Sequence, residues 1–270
     1  MNLKSLGPIL IAAVVTAFPC PVVRAQDTPP SDRHCSVNHY GDGLEGFSET
    51  RDQKLPATAS NRVDPGQNGS VMIHGWNQPD VLVRACIQAG AASEAEARSL
   101  ISAVKIARGA GDIQPDGPVQ DERHRWDVSY EVWMPMQSNV DAAAHNGSIA
   151  IDSVHGQVRF ETVNGSVHLN KVGGDVNGST TNGSVNVVLD GAAWQGRGLR
   201  AETTNGSVRL SLPENYSAKI EASTVNGRIH VDFPITVSGE IGRSLSFQLG
   251  SGGPAIQLRT TNGSVSVGRS

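Results

Sequence analysis

Aromatic side chains are scarce in this sequence, which holds five Phe, four Trp and three Tyr among 270 residues. Charge is thin as well, at 18% Asp, Glu, Lys and Arg against about 25% in average globular chains. Lys and Arg number 22 against 26 Asp and Glu, so the basic excess of a nucleic-acid footprint is missing. No run beyond the first 25 residues approaches the roughly 20 apolar residues of a membrane span. The chain does have 30 Gly and 38% hydrophobic residues, enough to form a core and to exclude a disordered chain. A core with few rings must use small aliphatics, which implies short Val and Ile strands joined by Gly turns.

The N-terminus has the layout of a secretory signal. Lys4 supplies the positive region, Leu6 to Phe18 the apolar run, and Val23-Arg24-Ala25 a small-residue cleavage site. Residues 1–25 are read as a cleaved signal peptide; its loss removes Lys4 and Arg24 and leaves 20 basic against 26 acidic side chains, a charge of −6. Ala17-Phe18-Pro19-Cys20 is a poor lipobox, because bulky residues stand where small ones belong. The mature protein is therefore expected to be exported, in the periplasm or at the cell surface, without a transmembrane segment. Cys35 and Cys86 remain in a compartment that permits oxidation, and a disulfide between them is expected, against the alternative of two free thiols.

A repeat decides the architecture. Thr-x-Asn-Gly recurs from Thr162, Thr180, Thr203, Thr224 and Thr260, and Gly147, Gly156, Gly165, Gly174 and Gly183 are nine residues apart. Aligning 147–164 with 165–182 pairs Ile149 with Val167, Ile151 with Leu169, Val154 with Val172, Val158 with Val176 and Thr162 with Thr180. Asn-Gly turns also suit antiparallel hairpins. A meander, however, has no need to repeat every second corner with the same flanks, whereas a solenoid stacks equivalent positions in columns. The expected fold is all-β, a right-handed parallel β-helix with corners at Asn146-Gly147, Asn164-Gly165, Asn182-Gly183, Asn205-Gly206, Asn226-Gly227 and Asn262-Gly263. Asn or Gly at these corners is expected to supply positive φ, and stacked Asn amides to bond along the axis. One outward column reads Glu161, Ser179, Glu202, Ser223, Arg259, which keeps like charges apart.

Residues 61–145 differ in kind. Asn68 to Trp76 carries the corner pattern, and Val81-Leu82-Val83-Arg84 reads as its partner strand. Ser93 with Glu96 forms a capping box for a helix whose apolar face is Ala97, Leu100, Ile101 and Val104. Trp126, Val128, Tyr130, Val132 and Met134 alternate as a strand ending at Pro135. This segment is expected to be an N-terminal strand-helix-strand cap plus the first coil, because an uncovered solenoid end is an open sheet edge. Residues 26–60 read as a flexible polar arm and 146–270 as the β-helix. The terminal strand 264–270 has no cap after it, which implies end-to-end self-association.

These motifs together resemble the bacterial "putative adhesin" domain family. The matching residues are Asn68-Gly69-Ser70-Val71 through Gly75-Trp76, the helix from Ser93, the strand ending at Pro135, the Thr-Thr-Asn-Gly-Ser-Val corners, and Gly250-Ser251-Gly252-Gly253-Pro254. Coverage is roughly residues 65–268. The resemblance implies an envelope or extracellular location, a right-handed β-helix and no catalytic residues to carry over.

Chemistry is sparse. Asp152, Glu161, Asp175, Asp190, Glu202 and Glu221 are dispersed, unlike the paired carboxylates of a glycosidase. The eight His show no metal-ligand spacing, and Gly173-Gly174-Asp175 is a single incomplete calcium-repeat motif; no catalytic residue, metal or cofactor is expected. Asn-x-Ser sequons at Asn68, Asn146, Asn164, Asn177, Asn182, Asn205, Asn215 and Asn262 are read as turn chemistry, not as glycosylation sites. Trp194 and Arg197 in one wall loop and Tyr216 in the next are the candidate ligand contacts, on the condition that the rings are exposed. The function expected is a structural or binding solenoid for an unidentified envelope polymer or protein. The alternative is a carbohydrate-active enzyme or glycan-binding module, requiring Asp190, Glu202 or Glu221 to converge with Arg197.

Overall fold

The Val-x-Leu segments after each corner and the longer Thr-rich segments before it both have period-two burial. Two faces with that period can only close against each other, and they do so as two sheets. The computed structural model describes Cys35 and residues 43–234 and 242–270. The segment 1–25 expected to be a signal peptide, Cys20 within it, and most of residues 26–42 of the expected arm lie outside the described residues. One sheet has ten strands and the other nine. Each coil gives one strand to each sheet, and the coils stack in parallel register, a β-solenoid-like arrangement without a closed barrel.

The register follows the 18-residue alignment: Ile149 pairs with Val167, Ile151 with Leu169, Val158 with Val176 and Thr162 with Thr180. Inward columns are made of Val, Ile, Leu and Ala, nearly all fully buried. Size is compensated within a column. Phe160 lies next to Gly178, where a Cβ would stand 2.5 Å from the Phe160 ring.

The corners are held by two side-by-side ladders of hydrogen bonds and by close backbone packing at the glycines. Thr162, Thr180, Thr203, Thr260 and Thr224 donate from Oγ1 to the carbonyls of Gly147, Gly165, Gly183, Gly206 and Gly263, at 2.7–2.8 Å. Asn146, Asn164, Asn182, Asn205, Asn262 and Asn226 each donate from Nδ2 to Oδ1 of the preceding rung, beginning at Asn68, at 2.8–3.0 Å. Beside the amides, a Cβ at Gly165 or Gly183 would fall 2.0 Å from the glycine carbonyl of the adjacent coil. This corrects the expected role of these glycines. Gly147, Gly165, Gly183, Gly206 and Gly227 lie outside the left-handed region, which only Gly69 and Gly263 enter among the corner glycines. Close approach of backbone to backbone, not positive φ, demands glycine. At the opposite corner the positive φ falls on Ser153 and Lys171.

Coil order departs from sequence order. The strand Ala255–Asn262 sits between Gly196–Asn205 and Ala218–Asn226, and Val265–Arg269 between Val208–Leu212 and Ile229–Val231. The last coil of the chain is therefore next to last in the stack. The strand 264–270, expected to be an open end, is paired on both sides, which removes the basis given for end-to-end association. The stack ends instead on Ile229–Val231 in one sheet and on Ser244–Leu249, antiparallel to Ala218–Asn226, in the other.

Upstream, the helix Glu94–Ala103 begins at Ser93, whose Oγ accepts from the Glu96 N–H, and it buries Ala97 and Ile101. Arg51 donates to the carbonyls of Ile101 and Val104 at the helix end. Arg51 belongs to the strand Glu45–Pro56, which pairs along its whole length with Asp80–Ala91. Residues 45–56 are thus a sheet edge where an arm was expected; a half-exposed edge strand carries too few apolar residues to stand out. Asp80–Ala91 is also not the direct partner of Val71–Trp76. The strand Arg125–Pro135 lies between them, antiparallel to one and parallel to the other. Asn177-Gly178-Ser179, expected from its turn chemistry to bend the chain, is in mid-strand within Gly173–Asn182.

Candidate functional site

The nine-stranded sheet turns its alternate polar positions outward, and parallel register lines them up in columns. One column runs Asp141, Arg159, Asn177, Arg200, Gln257, Glu221; the next runs Ala143, Glu161, Ser179, Glu202, Arg259, Ser223. Most charges are matched within the face. Glu202 accepts from Arg200 at 2.9 Å and stands 3.7 Å from Arg259. Glu221 meets Lys219 at 2.6 Å and accepts from Gln257 at 3.1 Å. The Lys219 hydrogen bond holds the Glu221 carboxyl below its ordinary range.

Over the strand Gly173–Asn182 the side chains shorten. Asn177 and Ser179 form the floor of a trough of about 490 Å³, with Arg159 and Glu161 on one wall and Arg200 and Glu202 on the other. The walls are two strand spacings apart, roughly 10 Å. Among the described residues, Arg159 and Glu161 make no ion pair, so the trough offers a guanidinium and a carboxylate alongside an amide and a hydroxyl. Such a surface can hydrogen-bond a polar chain of low net charge.

The ligand contacts expected from the sequence fall elsewhere and do not form one site. Trp194 is 5% exposed and Tyr216 2%. The Trp194 indole donates to the Gly174 carbonyl at 3.1 Å, and burial pushes the Tyr216 hydroxyl up to about 12. Neither ring offers a stacking face, because the two loops fold back and lay both rings over the core. Arg197 is exposed and paired with Asp175. Glu202 and Glu221 lie on different columns, each neutralised by its own partners, and a depressed Glu221 is the reverse of what a general acid needs. Among the described residues, no three His, Cys, Asp or Glu gather as a metal site, and no helix is long and apolar enough to cross a membrane.

Cys35 is bonded to Cys86 with a Cα–Cα distance of 5.3 Å, on the ten-stranded sheet. A concavity of about 410 Å³ beside it is lined by Thr50, Met72, Arg84, Gln88, Glu131 and His168. Its charged groups are paired, Arg84 with Asp52 and Glu131 with His74, so the trough on the other sheet is the better candidate. The trough is hidden in the sequence because its floor tripeptide, Asn177-Gly178-Ser179, repeats the corner motif.

This fold is a parallel β-solenoid-like stack whose distinctive surface is its polar outer face. Residues 96–268 match Toastrack DUF4097. The chain belongs to that family. Among solved structures it is similar to a putative cell adhesion protein from Clostridium sporogenes, at 12% identity and a TM-score of 0.46, over 83% of this chain and all of that one. A putative adhesin from Bacteroides fragilis aligns at 9% identity and a TM-score of 0.33, over 82% and 97% of the two chains. No curated protein matches the chain.

Proposed function

We propose that this protein is an exported, non-catalytic solenoid of the cell envelope or surface that binds a polar polymer, such as a glycan strand, or a protein segment of similar polarity. The observation that carries this reading is the trough over Asn177 and Ser179, with one Arg and one Glu on each wall. Among the described residues the exposed large hydrophobics are only Val119, Val188 and Val225. Recognition would therefore rest on hydrogen bonds across the face, not on ring stacking or an apolar patch. Export is supported by the signal pattern running from Lys4 to Ala25.

Within this reading, residues 1–25 are removed, 61–145 cover the first end of the stack, and 146–270 form the polymer-facing coils. Right-handed coiling is part of the proposal, since parallel crossovers are right-handed in about 98% of cases. The test is a glycan array and an envelope pull-down with the mature protein and a Ser179→Trp variant that fills the trough from an outward position. Binding should be lost while the thermal transition stays in place. Equal capture by both proteins would sink the site assignment.

A further inference from the structure

The sequence contains eight Asn-Gly pairs, at Asn68, Asn146, Asn164, Asn177, Asn182, Asn205, Asn226 and Asn262. This dipeptide can lose ammonia on its own. The glycine backbone nitrogen, after giving its proton to hydroxide, adds to the asparagine Cγ. Nδ2 takes up a proton and leaves as ammonia, and water then opens the cyclic imide at either carbonyl, giving aspartate or isoaspartate. Two things must be free for this step, the glycine nitrogen and the local backbone.

The stack withholds both at nearly every corner. Gly69, Gly147, Gly165, Gly183, Gly206 and Gly263 donate their N–H to the carbonyl of the asparagine on the next coil, at 3.0–3.2 Å. Gly178 lies in mid-strand between two parallel neighbours and against the Phe160 ring. Gly227 belongs to the last coil, so no next asparagine exists, and among the described residues its N–H has no acceptor. It is also exposed, whereas the other corner glycines are half-buried. The Asn226 amide is held from one side only, by its Nδ2 bond to Asn262, and its Oδ1 accepts nothing among the described residues.

We propose that Asn226 is a spontaneous modification site of the folded protein, the one corner where the solenoid leaves Asn-Gly chemistry unguarded. The product carboxylate would face the Asn262 Oδ1 that now accepts from the amide, so conversion replaces the last bond of the ladder by a contact between two acceptors. The terminal coil thereby gains an age-dependent weak point.

The test is peptide mapping of the folded mature protein after incubation at neutral pH, following conversion of asparagine to acid and isoaspartate at each pair. Asn226 should convert at least about tenfold faster than any other pair, because the others react only through local opening. In denaturant the eight rates should come together, and Asn226→Gln should erase the fast signal alone. A native rate at Asn226 no higher than at the other corners overturns the proposal. So does a comparable lead for Asn226 in denaturant, which would assign the effect to the following Gly227-Arg228 sequence and not to the fold.

Discussion

Asn262 donates to Asn205 at 2.8 Å across 57 residues of chain, while Asn226, nearer in sequence to Asn205, lies one rung further out. The coil carrying Asn262 is thus a structural wedge between two coils that precede it. Ending the chain at residue 254 should strip the strand Ala218–Asn226 of its parallel neighbour as well as deleting residues 255–270. Hydrogen exchange on the truncated protein should show protection lost across 218–231. Retention of native protection there would mean that the coils had stacked in sequence order.

Backbone contact at the corners gives a second expectation. Gly183→Ala places a Cβ 2.0 Å from the Gly165 carbonyl, and neither backbone can move without breaking its ladder. A loss of about 3 kcal/mol is expected, at the upper end of overpacking effects. Gly109→Ala, with nothing within 4 Å of the new atom, should stay within about 0.5 kcal/mol of the parent. Denaturant midpoints of the two variants measure the contrast directly.

The Cys35–Cys86 bridge closes a loop with a sequence separation of 51, and that loop contains the edge strand Glu45–Pro56. The chain-entropy relation assigns such a loop about 4 kcal/mol. Reduction, or replacement of both cysteines by serine, should lower the unfolding midpoint accordingly. An unchanged midpoint would show that the edge strand stays folded without its tether.

Two tyrosines make the fold alkali-sensitive. Burial raises Tyr216 from 10.0 to about 12 and raises Tyr130 further still, its hydroxyl donating to the Ile106 carbonyl at 2.8 Å. Because the folded pKa exceeds the unfolded one, their contribution is complete below about pH 10 and declines as pH rises toward 12. Phenolate absorbance should therefore rise together with the loss of β-sheet circular dichroism for these two residues. Ionisation of both in a still-folded protein would contradict their burial.

Columns were legible in the sequence because a stack repeats its chemistry at every level. Val167 after Ile149 and Thr180 after Thr162 needed only alignment. Address was not legible. Thr203, Thr224 and Thr260 begin nearly identical corners, so nothing local says which follows which in space. The inserted order does put Arg259 beside Glu202 at 3.7 Å, but an exposed pair of this kind is worth at most about 1 kcal/mol. The same ambiguity hid the trough, since Asn177-Gly178-Ser179 reads like a corner and is set in mid-strand by the Phe160 ring. Trp194 and Tyr216 misled in the opposite sense, because loop composition does not reveal whether a ring folds inward.

The amide ladder also gives the molecule a direction. Every rung from Asn68 to Asn226 points the same way, Nδ2 to Oδ1, so the side-chain dipoles add head to tail as peptide dipoles do in a helix. Among the described residues the Asn68 end shows bare N–H and is the positive pole, and the Asn226 end shows bare carbonyl and is the negative one. A carboxylate formed at position 226 would arrive at the pole that repels it, whereas the same charge at Asn68 would be welcomed. The two ends of this solenoid are therefore electrostatically distinct, even though the corner motif at each is nearly the same.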